Sequence, residues 1–455
     1  MAVCRLVAPV LIEQLLALSV GFTDKWLAGN LLAGERHLAA VGLVAYCIAF
    51  MPALFAMPAV AATALVARSV GAGDLSAARR AAVHCLVLGA VIVAAVMLVA
   101  ATSGVAILRI LGLPTESTLL AGRYLGIVAP VLPAMMLIHV GVAVLRGAGA
   151  MLAGLLSMSI VNVVNAGMSF ALATGFGGLP RLGWDGLAWG TVMGYLAGAA
   201  CVAWQLGRAC RGLQPAPHDW RIDRQWGRRV LAVGLPAGID AAANAFCHLA
   251  FLSVVNRLGD VAAAAHGVAI TIESLAYLPG SAFQVAAATL AGQFLGAGDE
   301  RRARRSVGLA ATACVALMTT AGLAFFVWAE PLVAWFVGGA DRQPAVASLA
   351  TRLVAIVALV QPALAVLMVL SGGLRGAGAT AAPMLVNFAG LAVVRLPLAV
   401  FLAWPPFEIA GSLMTLPALG LGAAGAWYAM ATDLTVRGLA MLILFSRGAW
   451  TRTRV

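Results

Sequence analysis

Charge is scarce in this chain. Only 10% of its 455 residues are Asp, Glu, Lys or Arg, 63% are hydrophobic, and the mean hydropathy is +0.99. An ordinary soluble domain carries roughly a quarter charged residues, so a soluble fold is excluded. Alternation is missing too: spanning β-barrels alternate apolar and polar residues, whereas the stretch from Ala81 to Ala101 has almost no polar side chain. An all-α integral membrane protein is left. There is no G-x-x-x-x-G-K-[ST] phosphate loop, which speaks against pumping by ATP, and no His, Asp or Cys cluster at catalytic spacing, which speaks against an enzyme. The seven cysteines (Cys4, Cys47, Cys85, Cys201, Cys210, Cys247, Cys314) have no paired spacing and read as reduced packing residues. His84, His139, His248 and His266 are scattered, so no metal or other cofactor is expected.

What is present is a series of long apolar runs. A span needs about 20 apolar residues, and loop signals separate twelve runs, centred near 6–29, 38–66, 80–101, 119–143, 152–174, 185–207, 229–256, 262–291, 305–328, 347–371, 381–403 and 420–445. The net charge of +12 sits in the short loops, where anionic lipid explains it better than nucleic acid does. With a cytoplasmic N-terminus, eighteen arginines fall on the cytoplasmic side, Arg79, Arg80, Arg146, Arg211, Arg375 and Arg454 among them. Seven fall opposite, including Arg36, Arg109 and Arg342. The positive-inside rule then puts both termini in the cytoplasm of a multi-pass plasma (inner) membrane protein. The first run contains Glu13, Gln14 and Asp24 and lacks a small-residue cleavage site, so it is expected to stay as a span.

The chain also repeats itself. Gly71, Gly73, Asp74, Arg79 and Arg80 recur as Gly296, Gly298, Asp299, Arg304 and Arg305, at an offset of 225 residues. Pro133 and the turn Leu145-Arg146-Gly147-Ala148-Gly149-Ala150 recur as Pro362 and Leu374-Arg375-Gly376-Ala377-Gly378-Ala379, at offset 229. Pro9 with Glu13 recurs as Pro236 with Asp240, at offset 227. Two six-span lobes are therefore expected: residues 1–207, a cytoplasmic linker over 208–229, and residues 230–455. Six is even, so both copies enter the membrane from one side, and their pseudo-two-fold axis runs along the membrane normal. Two like lobes would leave a central cleft able to open to alternate sides, which is a transporter's architecture.

These residues resemble the multidrug and toxic compound extrusion (MATE) family of secondary exporters. The resemblance rests on Pro9, Gly21, Phe22, Asp24, Ala28 and Gly29 of the first run, on Leu38-Ala39-Ala40-Val41-Gly42, on both Gly-Ala-Gly-Asp loops and on both Leu-Arg-Gly-Ala-Gly turns, and runs from about residue 8 to 445. It implies a cation site in the amino-terminal lobe at Asp24, Asn165, Ser169 and Thr191, with Ser169 standing where the family has a second carboxylate. In the other lobe, Asn244 stands where the sodium-linked branch has a glutamate, and its tenth-span aspartate has no counterpart near Ala363 to Met368. Monomeric action is also borrowed from the family.

Acids within spans are costly, about 2.5 kcal/mol or more on insertion scales, and are functional candidates by default. The short list is Glu13, Asp24, Asp240 and Glu273. Asp24 is the expected coupling residue, taking a proton on one side of the membrane and releasing it on the other; one carboxylate with neutral oxygens could hold sodium instead. Glu273 shares a helix face with Tyr277, beside Pro279. Glu13 and Asp240, at equivalent repeat positions, are expected chiefly to pair with loop arginines, and Arg395 in the eleventh run either snorkels or pairs with an acid. The expected function is export of amphipathic, cationic drugs or metabolites in exchange for inward H+ or Na+. The alternative is a lipid-linked precursor flippase, for which Arg395 is the one strong cationic candidate.

Overall fold

The computed structural model describes residues 2–32, 35–110, 115–208, 214, 216–338, 343–408, 415–416 and 418–453. Cys210, Arg211, Arg342 and Arg454 lie outside the described residues, as do the side chains of Cys4, Arg5, Arg36 and Arg109.

Eleven helices among the described residues are long and apolar enough to cross a membrane. They account for every expected run except the second, which is a broken helix: Glu35–Ala49, Met51–Leu54 and Ala56–Gly71. The breaks precede Pro52 and Pro58; proline lacks an N–H and crowds the preceding turn, so it opens a new helix segment more readily than it continues one. The fourth run is interrupted in the same way, with a 3-10 turn at Ala129–Val131 between Thr115–Val128 and Leu132–Gly147. Pro9, Pro236, Pro279 and Pro362 lie inside otherwise continuous helices. Besides helix, Phe407–Glu408 and Thr415–Leu416 form one short antiparallel ladder. The protein is thus an all-α multi-pass membrane protein. Large apolar side chains exposed on the helices, such as Phe22, Val163 and Leu359, suit a lipid surround rather than water.

Two compact units divide the chain. The first is Met1–Gly238 with Gly296–Gly298, the second Ile239–Leu295 with Asp299–Arg454. The division falls inside the long helix Arg224–Asn256, and the described residues 216–229 belong with the first unit. There Asp219, buried in the 3-10 turn Pro217–Trp220, receives the Ala216 N–H at 2.9 Å and pairs with Arg79 at 3.2 Å.

The sequence repeat is also a conformational repeat. Gly73 and Gly298 both have φ of 76°, and Gly149 and Gly378 have φ of 88° and 86°, a left-handed backbone that glycine adopts without strain. Asp74 and Asp299 follow as N-caps, accepting the N–H of Ala77 at 2.9 Å and of Arg302 at 2.8 Å. Within the first unit, Gly186, Gly190, Gly194 and Gly198 form a stripe at four-residue spacing along the sixth span, Trp184–Arg208. Small residues at that spacing let helix backbones approach closely in a membrane. A Cβ at Gly190 would strike Ser169, and one at Gly194 would lie 2.9 Å from the Asn165 Cβ. The stripe therefore brings the fifth span, Leu152–Thr174, against the sixth exactly where polar side chains meet.

Candidate cation-coupling site

The first unit carries a buried polar site. Asp24, only 3% exposed, accepts hydrogen bonds from the Tyr124 hydroxyl at 2.8 Å and the Thr191 hydroxyl at 3.1 Å, with the Asn165 amide at 3.5 Å. Tyr124 and Thr191 are themselves 2.8 Å apart, and the Asn165 amide donates to Thr191 at 3.0 Å and to Ser169 at 3.4 Å. Ser169 donates to the Leu187 carbonyl at 3.3 Å. The first, fourth, fifth and sixth spans each contribute a side chain. Among the described residues no cation pairs with Asp24, and Lys25 beside it is exposed.

Hydrogen counting shows what the site lacks. Asp24 Oδ2, Tyr124 Oη and Thr191 Oγ1 form a triangle with edges of 2.8, 2.8 and 3.1 Å, and the two hydroxyls supply hydrogens for two of them. A proton on the carboxyl would complete the third edge. Nearby, Asn165 Oδ1 is buried without a hydrogen-bond partner. The structure thus gathers all four residues that the family resemblance implied, and adds Tyr124, which sequence reasoning missed. The only sequence signal for it was a phenol within an apolar run. Tyr124 is held by its ring, 5.7 Å from that of Trp184, whose Nε1 donates to the Leu120 carbonyl at 3.0 Å.

The second unit is built differently. Arg437 grips Asp433 with a two-pronged guanidinium, Nε to Oδ1 at 2.8 Å and Nη2 to Oδ2 at 2.5 Å, and donates Nη1 to Asn387 at 3.3 Å. Arg395, 3% exposed, donates Nε to the same Asp433 Oδ2 at 2.9 Å and lies over the Phe251 ring. The Asn387 amide reaches both oxygens of Asp240 at 3.1 Å, and Asp240 pairs with Arg375. In the first unit the equivalent acid, Glu13, pairs with Arg146 at 2.5 Å.

Two expectations need correction. The short list of intramembrane acids omitted Asp433, and Arg395 is not the one strong buried cation, because Arg437 lies beside it. The spacing of Asp433 and Arg437, four residues apart on the twelfth span, was a usable signal. Of the other candidates, Asp240 and Arg395 join one network. Asn244 and Glu273 are half-buried, Tyr277 is 50% exposed, and none of these three has a side-chain hydrogen bond among the described residues. No group of three or more His, Cys, Asp or Glu among the described residues could hold a metal ion.

The MatE family model matches residues 9–171 and 236–401. The multidrug resistance protein NorM of Burkholderia vietnamiensis is 30% identical over 436 residues, covering 94% of this chain and 90% of its own. A probable multidrug resistance protein NorM of Thermotoga maritima is 26% identical over 99% of this chain and 93% of its own. Among solved structures, a MATE protein crystallised in a bent conformation superposes with a TM-score of 0.86 at 19% identity, covering 99% of this chain and 96% of that one.

Proposed function

The chain belongs to the MatE family, whose members are transporters rather than enzymes, and from that premise we propose that it is a secondary multidrug exporter. It moves amphipathic, often cationic small organic molecules outward in exchange for inward protons, by alternating access. The relatives named for multidrug resistance support the substrate class. One observation carries the coupling: Asp24 is buried among hydroxyl and amide donors with no cationic partner among the described residues.

A buried carboxylate of this kind has two states that differ by a full charge in a low-dielectric setting. A conformation that favours one state by 1.4 kcal/mol changes its population tenfold. Proton uptake on one side and release on the other can therefore drive a conformational cycle. The unfilled edge of the Asp24–Tyr124–Thr191 triangle favours a proton. Sodium is the second reading, supported by the unpartnered Asn165 Oδ1, which could join Asp24 and Thr191 as an oxygen ligand. The lipid-linked precursor flippase is less well supported, because Arg395 and Arg437 are engaged on Asp433. The arginine asymmetry supports an inner-membrane protein with both termini in the cytoplasm, and action as a monomer is carried over from the family resemblance.

The test is efflux of a cationic dye from cells lacking their own pumps, comparing wild type with Asp24→Asn under imposed proton and sodium gradients. Loss of gradient-driven efflux in the variant is expected. Undiminished efflux would exclude Asp24 as the coupling residue.

A further inference from the structure

We propose that the Arg437 guanidinium is a resident cation of the second unit, occupying Asp433 permanently, so that Asp433 exchanges no ion during the transport cycle. The proposal rests on the reading of Asp24 as the exchanging acid and says why the second unit holds no counterpart to it.

The geometry is that of a filled site. Three guanidinium nitrogens of Arg437 meet three acceptors, both oxygens of Asp433 and the Asn387 oxygen, at 2.5 to 3.3 Å. Arg395 approaches Asp433 Oδ2 with two nitrogens, each at 2.9 Å. Asp433 is fully buried, and Arg437 is only 5% exposed. A forked, delocalised cation satisfies a carboxylate in two directions at once, which a hydrated ammonium or a small metal ion could not do in the same space.

The backbone is shaped for this occupant. Residues Ala389–Arg395 form a π-helical turn in the eleventh span. Such a turn absorbs one extra residue, so the steps from Asn387 to Arg395 advance the helix by about 700°, near two full turns, where a regular helix would leave them about 80° apart. Asn387 and Arg395 therefore both face the twelfth span. Within the same turn, a Cβ on Gly390 would collide with the Arg437 stem and with Asp433 Oδ1. Only glycine leaves room for the pair there.

The charges that face the cluster also argue against a mobile cation. Asp433 on the twelfth span meets Arg437 of its own helix and Arg395 of the eleventh. Asp240 on the seventh span is matched by Arg375 at the end of the tenth. Glu273 on the eighth span lies within the electrostatic reach of Arg395 without pairing with it. Two buried guanidiniums face the one carboxylate of Asp433 before any ion arrives, so a sodium ion added there would meet repulsion.

Two melting experiments on the purified full-length protein test this. In the first, Asp24→Asn is melted in sodium chloride and in choline chloride at equal ionic strength. No sodium-specific stabilisation is expected, because Asp433 is already occupied; a sodium-specific shift retained in this variant would overturn the proposal. In the second, Arg437→Ala should melt well below wild type, and about 10 mM guanidinium chloride should raise its melting temperature by about 2 °C relative to choline, with no such rise in wild type. Melting unchanged by the substitution, or a loss that guanidinium does not recover, would also overturn it. If Arg437→Ala does not fold, the Asp24→Asn measurement decides. Neither readout involves transport, so a failure of dye efflux would count against the exporter reading and leave this one standing.

Discussion

Two buried acids set the two units apart. Asp24 is held by a phenol, a hydroxyl and an amide, all neutral; Asp433 is held by two guanidiniums. Both solve the same problem, since a carboxylate in a low-dielectric interior must be hydrogen-bonded or paired. The solutions differ in what they leave open. Neutral donors stabilise a charge without cancelling it, so Asp24 retains a use for one more positive charge, whereas Asp433 is already more than neutralised. The repeated acids Glu13 and Asp240 both pair with an arginine, and the contrast lies in acids outside the repeat positions.

The largest effect expected from breaking this contrast is on transport. Asp24→Asn should reduce gradient-driven dye efflux to the background of cells without the protein, measured at equal expression, while Asp433→Asn made together with Arg437→Gln and Arg395→Gln, which leaves no unpaired charge behind, should retain efflux if Asp433 exchanges nothing. Next comes stability. Arg437→Ala should cost about 3 kcal/mol, the low end for breaking a buried pair because Arg395 remains on Asp433, as read by denaturant melting in detergent. A third test overpacks the scaffold of the first unit alone. Gly190→Ala and Gly194→Ala should each cost about 1–3 kcal/mol, and should impair efflux at the same time by pushing Ser169 and Asn165 away from Asp24.

The smallest effect tests the sameness of the units rather than their difference. Asp74→Ala and Asp299→Ala should each cost about 1 kcal/mol, by similar amounts, because the two caps share one loop geometry. The Asp74 carboxyl lies outside the spans, and the Ala77 N–H and then the Ser76 hydroxyl hold it below the ordinary carboxylate range. A depressed value means the cap contributes fully above about pH 4 and weakens as acid protonates it. A melting difference between wild type and Asp74→Ala that stays flat from pH 7 to pH 5, then shrinks on further acidification, is the expected record.

Much of the scaffold was legible from residue order. Hydropathy located the spans because a lipid-facing helix has few alternatives to apolar side chains, and fixed offsets revealed the repeat because its loops need glycine with positive φ followed by a capping aspartate. Asp24 stood out as an acid within an apolar run. Its partner Tyr124 did not, being 100 residues away with nothing local to distinguish it from a packing phenol. Asp433 and Arg437 were readable as a pair one helical turn apart. That Arg395 joins them was not, since Asp433 lies 38 residues further on and on another span; the π turn brings Arg395 closer still to the direction of Asn387.

Composition and spacing by themselves determined the solvent, the number of spans, the repeat and the rarity of intramembrane acids, because each follows from the cost of placing a chain in lipid. The tertiary structure alone decided which acid is held by neutral donors and which by two arginines. That outcome depends on which side chains are brought within about 3 Å of each carboxylate, a distance at which low-dielectric electrostatics is strongest and sequence separation has no meaning.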